Sequence, residues 1–550
     1  MSLPTNNINE LLFKTIKAEK SDILVIIVYA FIIGLLYLII PLAVQELVNI
    51  IAFGVVLQPL YVLTALVTGI LILIGVLQVI QRYIVEIIQQ RVFVTNSFDL
   101  VNRIKLSDKD ALTNKEVNLF FEVLSLQKSY SKLLVGGFAA VLQALIGLIV
   151  LCFYHFYFSL LALFIFVASV LTLYLGGLGG LKTSLKESSY KYNLIHWLQE
   201  LAAGQDIIKF NVNNDYLIKK TDNINLNYIN SRGKHFGILM RQQILGFLVQ
   251  IFANSSLLAL GGVLVIEGQL SLGQLIAAEL LVTSSLAGLD KFINQTDIIF
   301  DFLTALSKLN LLHDLSKSSF QAGNKSLSSN NNLGLKIECK NLYFNYGITE
   351  KDRTEIIKNF SFNLASAEWI NIDSRLSLTK NSLFNLLAGL SKADKGLIYF
   401  DDLEIKDLTS SSLGEEIAFI QKNPEYIFEA SLQENILLGR AEKLPLKLAL
   451  EASDLDSEIS NLAAGLNTLI ESKGKNIPNS QIAKILISRA LITKPRLILL
   501  HEDILLPLDQ KSKLKFINSL QNNILGFKSS LIFFGEDYSL KDFFPAQIKL

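Results

Sequence analysis

Long apolar stretches alternate with polar segments through the first 306 residues of the chain. Six of these stretches are long enough to cross the roughly 30 Å of hydrocarbon in a bilayer. They lie near residues 23–44, 59–80, 133–156, 159–181, 244–266 and 275–306. The third and fourth are joined by almost no chain, around Tyr157, so they must form a tight hairpin. The pattern predicts an all-α domain of six membrane-spanning helices over residues 23–314.

Charged residues between the apolar stretches predict the orientation of the helices. Lysines and arginines are concentrated in the two long connections, at Arg82, Arg91, Arg103 and Lys105, then at Lys182, Lys186, Lys191 and Lys209. Because positive charge is retained in the cytoplasm, both long loops and both termini are expected there. The chain is therefore predicted to be a multi-pass protein of a bacterial-type inner (cytoplasmic) membrane.

The first 22 residues carry an amphipathic pattern. Between Asn7 and Lys20, apolar residues recur at roughly helical spacing on a charged background. This predicts a helix that lies along the cytoplasmic membrane surface. Because the segment is polar and the first apolar stretch is long, no cleavable signal peptide is expected.

The pattern changes in the second half of the chain. A Ser/Asn-rich segment at residues 315–334 predicts a linker, and short apolar runs alternate with helical ones from residue 335 to 550. Such alternation predicts an α/β domain with a mainly parallel sheet. The two cysteines, Cys152 and Cys339, lie on opposite sides of the linker and are not expected to pair.

Composition narrows the class of protein further. Hydrophobic residues make up 51% of the chain, which is too many for an ordinary soluble protein. The formal net charge is only +1. No general basic surface therefore favours a nucleic-acid partner, and the lipid membrane is the partner that the composition indicates.

Short motifs follow one another in a definite order in the second half. They are LYFNYG with Tyr346, NIDSRLSLTKNSLFNLLAGL with Lys380, IAFIQKNPEYIFEASLQENILLG with Gln421, IPNSQIAKILISRAL with Ser480 and Gln481, and RLILLHED with Glu502. Behind six apolar stretches, these motifs resemble an exporter-type half-transporter of the ABC transporter superfamily. The resemblance covers nearly the whole chain and implies that residues 335–550 form an α/β P-loop NTPase-like domain.

The resemblance implies a role for each motif, with ATP and Mg²⁺ as cofactors. Tyr346 matches the aromatic residue that stacks on adenine, and Lys380 matches the Walker A lysine. Asn381 and Ser382 follow that lysine at the place of the Mg²⁺-ligating hydroxyl. Ser480 and Gln481 lie in the signature motif. Candidate catalytic residues are Gln421 of the Q-loop and Glu502 after Walker B, and Gln421 and Asn381 are the only candidate metal ligands.

Several positions depart from the family pattern. The three Walker A glycine places hold Ser374, Ser377 and Thr379, and forcing positive φ on such residues costs on the order of 1–2 kcal/mol each. His501 stands where the Walker B aspartate would be, and Glu536 stands at the place of the switch histidine. These departures predict a degenerate nucleotide-binding domain with weak or lost Mg-ATP binding. Lys380, Gln421 and Glu502 are then either residual functional groups or inherited surface residues.

The polar residues inside the apolar stretches include Gln78, Gln143, Gln250 and Glu279. An ionisable side chain in hydrocarbon is costly unless it faces a cavity or a partner, so Glu279 is the sharpest of them. We expect the four to face a substrate cavity. Hydrogen bonding between helices, or for Glu279 a place at the outer interface, is the alternative.

Three readings of function follow. The first is a membrane transporter subunit that moves an unidentified substrate as a homodimer, or as a heterodimer with another ABC half-transporter, with a periplasmic adaptor as a further possible partner. Its own ATPase is predicted to be weak or inactive. The first alternative is a non-transporting pseudo-ATPase that acts as a membrane scaffold or regulator. The second is an active ATP-driven exporter with a non-consensus nucleotide site.

Overall fold

The computed structural model describes residues 20–53, 57–106, 118, 120–313, 323–327, 333–347, 353–374, 376–522 and 525–550. The chain divides into two compact units, a membrane unit and a C-terminal unit that includes the residues from Ser316 onward. The interfacial helix expected over residues 1–22 lies outside the described residues, apart from its last three. Each unit is described below by itself.

The membrane unit contains six helical spans that are long and apolar enough to cross a membrane, as the sequence predicts. Because hydropathy marks only the part in hydrocarbon, the helices extend well beyond the predicted stretches. Their bounds are α1 (Lys20–Leu36), α2 (Ile39–Phe53), α3 (Leu57–Leu106), α4 (Phe121–Ser131), a π-helix (Lys132–Phe138), α5 (Ala139–Leu151), α6 (Phe156–Gly177), α7 (Gly180–Ala203), α8 (Gln205–Asn211), α9 (Asn214–Ile266), α10 (Leu272–Asn294) and α11 (Thr296–His313). Span 1 comprises α1 and α2, span 2 is α3, span 3 runs from α4 to α5, span 4 comprises α6 and α7, span 5 is α9, and span 6 comprises α10 and α11.

Span 4 is broken where the sequence predicts a continuous stretch over 159–181. Helix α6 ends at Gly177, and Gly179 has a φ of +85°, a left-handed conformation that favours glycine. Gly180 is equally constrained, because a Cβ there would overlap the Phe300 ring. The carbonyls freed by the break are satisfied by Arg241 of span 5, which donates to Gly176 O at 2.7 Å and Leu178 O at 2.8 Å. Span 6 is likewise interrupted, at Gln295 between α10 and α11.

A buried ion pair joins three helices of the membrane unit. Lys308 Nζ of α11 lies 3.2 Å from Glu122 Oε1 of α4, and the two side chains are 5% and 4% exposed. Ser188 of α7 bonds to both charged groups. The Lys308 ammonium also lies 3.9 Å from the centre of the Tyr192 ring. The charges are thus neutralised within the protein, and α4, α7 and α11 are tied together at one place.

The C-terminal unit is an α/β domain, as predicted. Its strands are β1 (Ile337–Tyr346), β2 (Thr354–Leu364), β3 (Trp369–Asp373), β4 (Lys395–Phe400), β5 (Leu403–Glu404), β6 (Ile417–Ile420), β7 (Ala430–Ser431), β8 (Leu469–Ile470), β9 (Leu497–His501), β10 (Ser530–Phe534) and β11 (Ala546–Lys549). Its α-helices are α12 (Ser377–Leu387), α13 (Ser410–Glu416), α14 (Leu432–Leu437), α15 (Leu446–Ala452), α16 (Asp456–Ile459), α17 (Asn479–Leu491) and α18 (Gln510–Gln521).

Two main sheets form the body of this domain. A parallel sheet has the order β11-β3-β10-β9-β6, and a sheet with antiparallel pairing has the order β2-β1-β4-β5. Strands β9 and β10 are buried along their whole length, as the unbroken apolar runs RLILL and SLIFF require. Part of the predicted linker also packs on this domain, because Leu327 is buried and its N–H donates to Ser412 Oγ at 2.8 Å.

A cluster of charged side chains links helices of this domain. Lys484 of α17 lies 3.3 Å from Asp454 and 2.5 Å from Glu458, while Lys515 of α18 lies 2.7 Å from Asp454. Burial raises the pKa of Asp454, but hydrogen bonds from Lys515, Ser512 and Lys484 outweigh it and lower this pKa to about 2. The ionised carboxylate therefore links α17 to α18.

The buried pair in the membrane unit gives a stability prediction. Lys308→Met leaves the Glu122 carboxylate buried without its cation, so we expect a loss of about 3–5 kcal/mol of stability. Thermal unfolding of the full chain in detergent should show a lower midpoint, and adding Glu122→Gln should recover most of the loss. Arg232→Met is the control. Arg232 pairs with Glu187, but its side chain is 44% exposed, so loss of this pair should cost little stability. A wild-type midpoint for Lys308→Met would contradict the prediction.

The cluster around Asp454 gives a pH prediction. Because its pKa is lowered on folding, Asp454 stabilises the fold at neutral pH, and this contribution is lost as the pH falls from about 4 to about 2. Asp454→Asn should therefore lower the thermal midpoint at pH 7, and the difference from wild type should shrink below pH 4. Asparagine also tolerates the left-handed φ of +61° at this position. Asp456→Asn, at the exposed edge of the cluster, is the control, and a pH-independent difference would refute the assignment.

Candidate functional site

The carboxyl ends of three neighbouring strands bring the main candidate residues together. Phe534 of β10 pairs with Ile372 of β3 on one side and with His501 of β9 on the other. The chain after β9 therefore begins with Glu502 close to the loop that follows β3 and leads into α12. Ligand sites of open α/β sheets lie at this edge, so the geometry agrees with the position expected for a nucleotide site.

Lys380 and Glu502 form an ion pair across this edge. Lys380 Nζ lies 2.7 Å from Glu502 Oε1, and the Lys380 side chain is only 6% exposed. Glu502 Oε2 accepts a hydrogen bond of 2.9 Å from the backbone N–H of Glu536. Burial raises the pKa of Glu502, but the bonds from Lys380 and the Glu536 N–H outweigh it and lower the pKa. Glu502 is thus ionised, with both oxygens engaged inside the protein.

The loop before Lys380 has no glycine-like backbone in its described part. Leu376 has a φ of −105°, and α12 begins at Ser377, so two of the substituted glycine places, Ser377 and Thr379, are helical. Ser374 Oγ accepts from the N–H of Leu376 at 3.3 Å. Leu376 O accepts from the N–H groups of Thr379 and Lys380 at 3.0 and 3.3 Å. Three backbone N–H groups near the start of α12 therefore donate to atoms of the protein itself. Arg375 lies outside the described residues.

His501 stands at the end of β9 as a buried, neutral side chain. Its Nδ1 accepts from the Asp503 N–H at 3.3 Å, and its Nε2 is buried with no partner among the described residues. Burial lowers the pKa of His501 more than the nearby Asp503 and Glu502 carboxylates raise it. The ring edge rests on Phe384 at 5.4 Å between ring centres. His501 Nδ1 also lies 3.1 Å from Asp503 Oδ2, and the uncharged ring carries no negative charge for a metal ion.

These groups fit Mg²⁺ poorly. The ion prefers oxygen ligands, usually one or two carboxylates together with phosphate oxygens. Asn381 Oδ1 is buried with no partner among the described residues and is a free oxygen of the required kind. Glu502 is neutralised by Lys380, and His501 carries no negative charge. Across the described residues, no group of three His, Cys, Asp or Glu has metal-site geometry.

The remaining candidates of this domain do not join the pair. Tyr346 ends β1 with 56% of its surface exposed, and Gln421 follows β6 half-buried. Ser480 and Gln481 lie in the first turn of α17, after Pro478, which provides no side-chain cap. Ser382 is buried on α12. Within the described residues, no hydrogen bond or ion pair links any of these five to Lys380 or Glu502.

Arg489 and Asn435 make structural contacts that the sequence did not predict. Arg489 of α17 donates to Asn435 O at 2.7 Å and to Tyr426 O at 2.8 Å. Asn435 is fully buried and exchanges two hydrogen bonds with the backbone of Phe428. Together they fix the segment that follows Gln421. An arginine among the apolar residues at the end of α17, such as Ile487 and Leu491, is the signal that could have revealed this contact.

The polar residues of the spans take different environments. Gln78 donates to the Tyr37 hydroxyl at 3.1 Å, which joins spans 2 and 1 and matches the helix–helix alternative. Gln143 and Gln250 are half-buried, and Glu279 is exposed on α10. No hydrogen bond or ion pair connects any two of the four in the described residues. Glu279 shares an exposed face with Thr283, Ala287 and Lys291 at four-residue intervals, a face poorly suited to lipid.

Comparison with known proteins agrees with this architecture. Residues 357–504 match the family model of the ABC transporter. A putative export ATP-binding/permease protein of Rickettsia typhi is 25% identical over 271 residues, 48% of this chain and 45% of that protein. An uncharacterised ABC transporter ATP-binding protein of Bacillus subtilis is 30% identical over 188 residues, 34% of this chain and 32% of that protein. The chain thus aligns with less than half the length of these two relatives.

A solved structure extends the comparison of the fold to the membrane unit. The structure of a bacterial Atm1-family ABC exporter with ATP bound aligns with a TM-score of 0.80 and 16% identity, over 97% of this chain and 94% of that one. At this identity the likeness concerns the fold alone. Residues 357–504 thus form a domain of the ABC transporter family, and six membrane spans followed by this domain give the chain the fold of an ABC exporter half-transporter.

Proposed function

We propose that the chain is one half of a dimeric ABC exporter that moves a substrate across the membrane while its own nucleotide site contributes little or no hydrolysis. The observation that carries the second part is the Lys380–Glu502 ion pair, at 2.7 Å. The lysine that the family uses for phosphate is held by the carboxylate that the family uses for catalysis.

Electrostatics explains why this pair opposes nucleotide binding. A phosphate that took Lys380 would leave Glu502, part-buried and ionised, next to another anion. Removing one partner of a buried pair costs about 3–5 kcal/mol. Glu536, exposed beside the same edge, adds a further negative charge. Binding of Mg-ATP therefore has to displace an existing favourable interaction.

The membrane unit supports the need for a second subunit. The face of α10 with Glu279 and Lys291 is exposed in the single chain, and charged groups at the bilayer centre cost roughly 2.5–3.5 kcal/mol on insertion scales. A second copy or another half-transporter would cover this face and enclose a polar path. The lysine-rich loops support a cytoplasmic position in a bacterial cell for both termini and for the nucleotide-binding domain. A partner with an intact Walker A motif would supply the hydrolysis.

The proposed function can be tested on a complex purified from native membranes through a tag on this chain and reconstituted in liposomes. We expect ATP hydrolysis by the complex to change less than twofold when this chain carries Lys380→Ala. Loss of hydrolysis in that variant would instead support an active site within this chain. A pure complex without hydrolysis or transport would support the scaffold or regulator reading.

Nucleotide affinity gives a direct prediction. Wild-type protein should bind Mg-ATP about 100- to 1,000-fold more weakly than an ABC domain with a free Walker A lysine, because the ion pair must first break. Glu502→Gln should tighten binding, since an amide releases Lys380, whereas the neighbouring Asp503→Asn should not. Calorimetry measures all three proteins, and micromolar affinity of the wild type would refute the prediction.

The position of Glu279 gives a second prediction. A spin label at residue 279 should respond to a water-soluble relaxation agent, whereas a label at Leu163 of span 4, an exposed apolar residue, should respond to oxygen dissolved in lipid. Glu279→Gln should alter transport of the native substrate without changing expression or dimerisation. Contact of the label at 279 with lipid would show that the cavity assignment is wrong.

A further inference from the structure

A cavity of about 390 Å³ lies beside the break in span 4, between spans 4, 5 and 6. Its wall includes the backbone from residue 177 to 180, Tyr174 and Lys182 of span 4, Gln242 of span 5, and Phe300 of span 6. The cavity lies at the lysine-rich end of span 4.

A buried amide in the cavity wall lacks a hydrogen-bond donor. Gln242 is 1% exposed, and its Nε2 donates to Leu173 O at 3.4 Å, which fixes the orientation of the amide. Its Oε1 is buried without a partner in the described part of the chain. An unsatisfied buried acceptor costs about as much as a lost hydrogen bond, so a ligand that donates a hydroxyl here would be stabilised.

Positive charge borders the same space. Lys182 is exposed and has no ion pair among the described residues. Arg241, one residue before Gln242, is held beside the break by its bonds to Gly176 O and Leu178 O. Two acidic residues adjoin the cavity wall in sequence: Asp297 is paired with His235 at 3.0 Å, and Asp301 is exposed one residue beyond Phe300. Lys182 is therefore the unpaired cation that the cavity wall offers to an anion.

The rim of the cavity is apolar and faces outward. Tyr174 is 69% exposed and Leu178 is 52% exposed, next to the apolar outer surface of α6. Tyrosine is enriched where a membrane protein meets the headgroup region. Lys182 and Gln242 thus line the cavity, and an apolar surface for acyl chains lies outside.

We propose that this cavity binds the headgroup of an anionic, hydroxyl-bearing phospholipid such as phosphatidylglycerol, taken from the adjoining leaflet. Lys182 and Arg241 attract the phosphate, and Gln242 Oε1 accepts a hydrogen bond from the headgroup hydroxyl. The acyl chains lie along the Tyr174 and Leu178 surface. The bound lipid would also fill the gap that the break in span 4 opens.

The test follows the thermal midpoint of the full chain in detergent as lipid is added, from which an apparent affinity is obtained. The probes are dioleoyl forms of phosphatidylglycerol, phosphatidylethanol, which is anionic but lacks the hydroxyl, and phosphatidylcholine, with inorganic phosphate as a fourth. Phosphatidylglycerol should raise the midpoint saturably and bind more tightly than phosphatidylethanol. Phosphatidylcholine and inorganic phosphate should have little effect.

Two matched pairs of variants separate the site from general surface effects. Lys182→Ala should weaken phosphatidylglycerol binding about fivefold, whereas Lys186→Ala, one turn further along α7 and outside the cavity wall, should not. Gln242→Leu should abolish the preference over phosphatidylethanol, and Gln250→Leu on the same helix should keep it. Equal effects of phosphatidylglycerol and phosphatidylcholine, or equal losses in Lys182→Ala and Lys186→Ala, would overturn the proposal. An equal response to inorganic phosphate would overturn the lipid assignment.

Discussion

A polar group held away from water must find its partner within the protein, and both units of this chain depend on that constraint. In the membrane unit, Lys308 and Glu122 neutralise each other at 3.2 Å, and Arg241 satisfies the carbonyls exposed where span 4 is broken. In the C-terminal unit, Lys380 and Glu502 do the same at the edge of the parallel sheet. Each pair allows irregular or charged structure where apolar packing alone would exclude it.

The pair at the sheet edge changes the role of inherited residues. Lys380 and Glu502, which the sequence predicts to bind phosphate and to act in catalysis, stabilise each other and join α12 to the end of β9. His501 and Phe384 extend this contact with apolar packing below it. The domain can therefore keep its fold without a nucleotide.

Much of the fold could be predicted from the sequence, because the signals that define it are local. Six apolar stretches gave six spans, and alternating runs such as RLILL and SLIFF gave buried strands. The break in span 4 escaped prediction, since glycines in an apolar stretch also serve close helix packing. The 122-residue separation of Lys380 and Glu502 hid their contact, which only the pairing of β3, β10 and β9 creates. Burial of Gln242 was hidden for the same reason, because it depends on three separate helices.

The break divides span 4 into two helices, α6 and α7, that can rotate relative to each other. Helix α6 has 22 residues and α7 has 24, and they meet at a left-handed glycine. At a rise of 1.5 Å per residue, α7 is about 36 Å long, so a rotation of about 10° at the joint would move its far end by about 6 Å. Arg241 of span 5 donates hydrogen bonds to Gly176 O and Leu178 O at the break, and these bonds resist rotation of α7 relative to α6. A small displacement of span 5 would therefore produce a larger movement at the far end of α7.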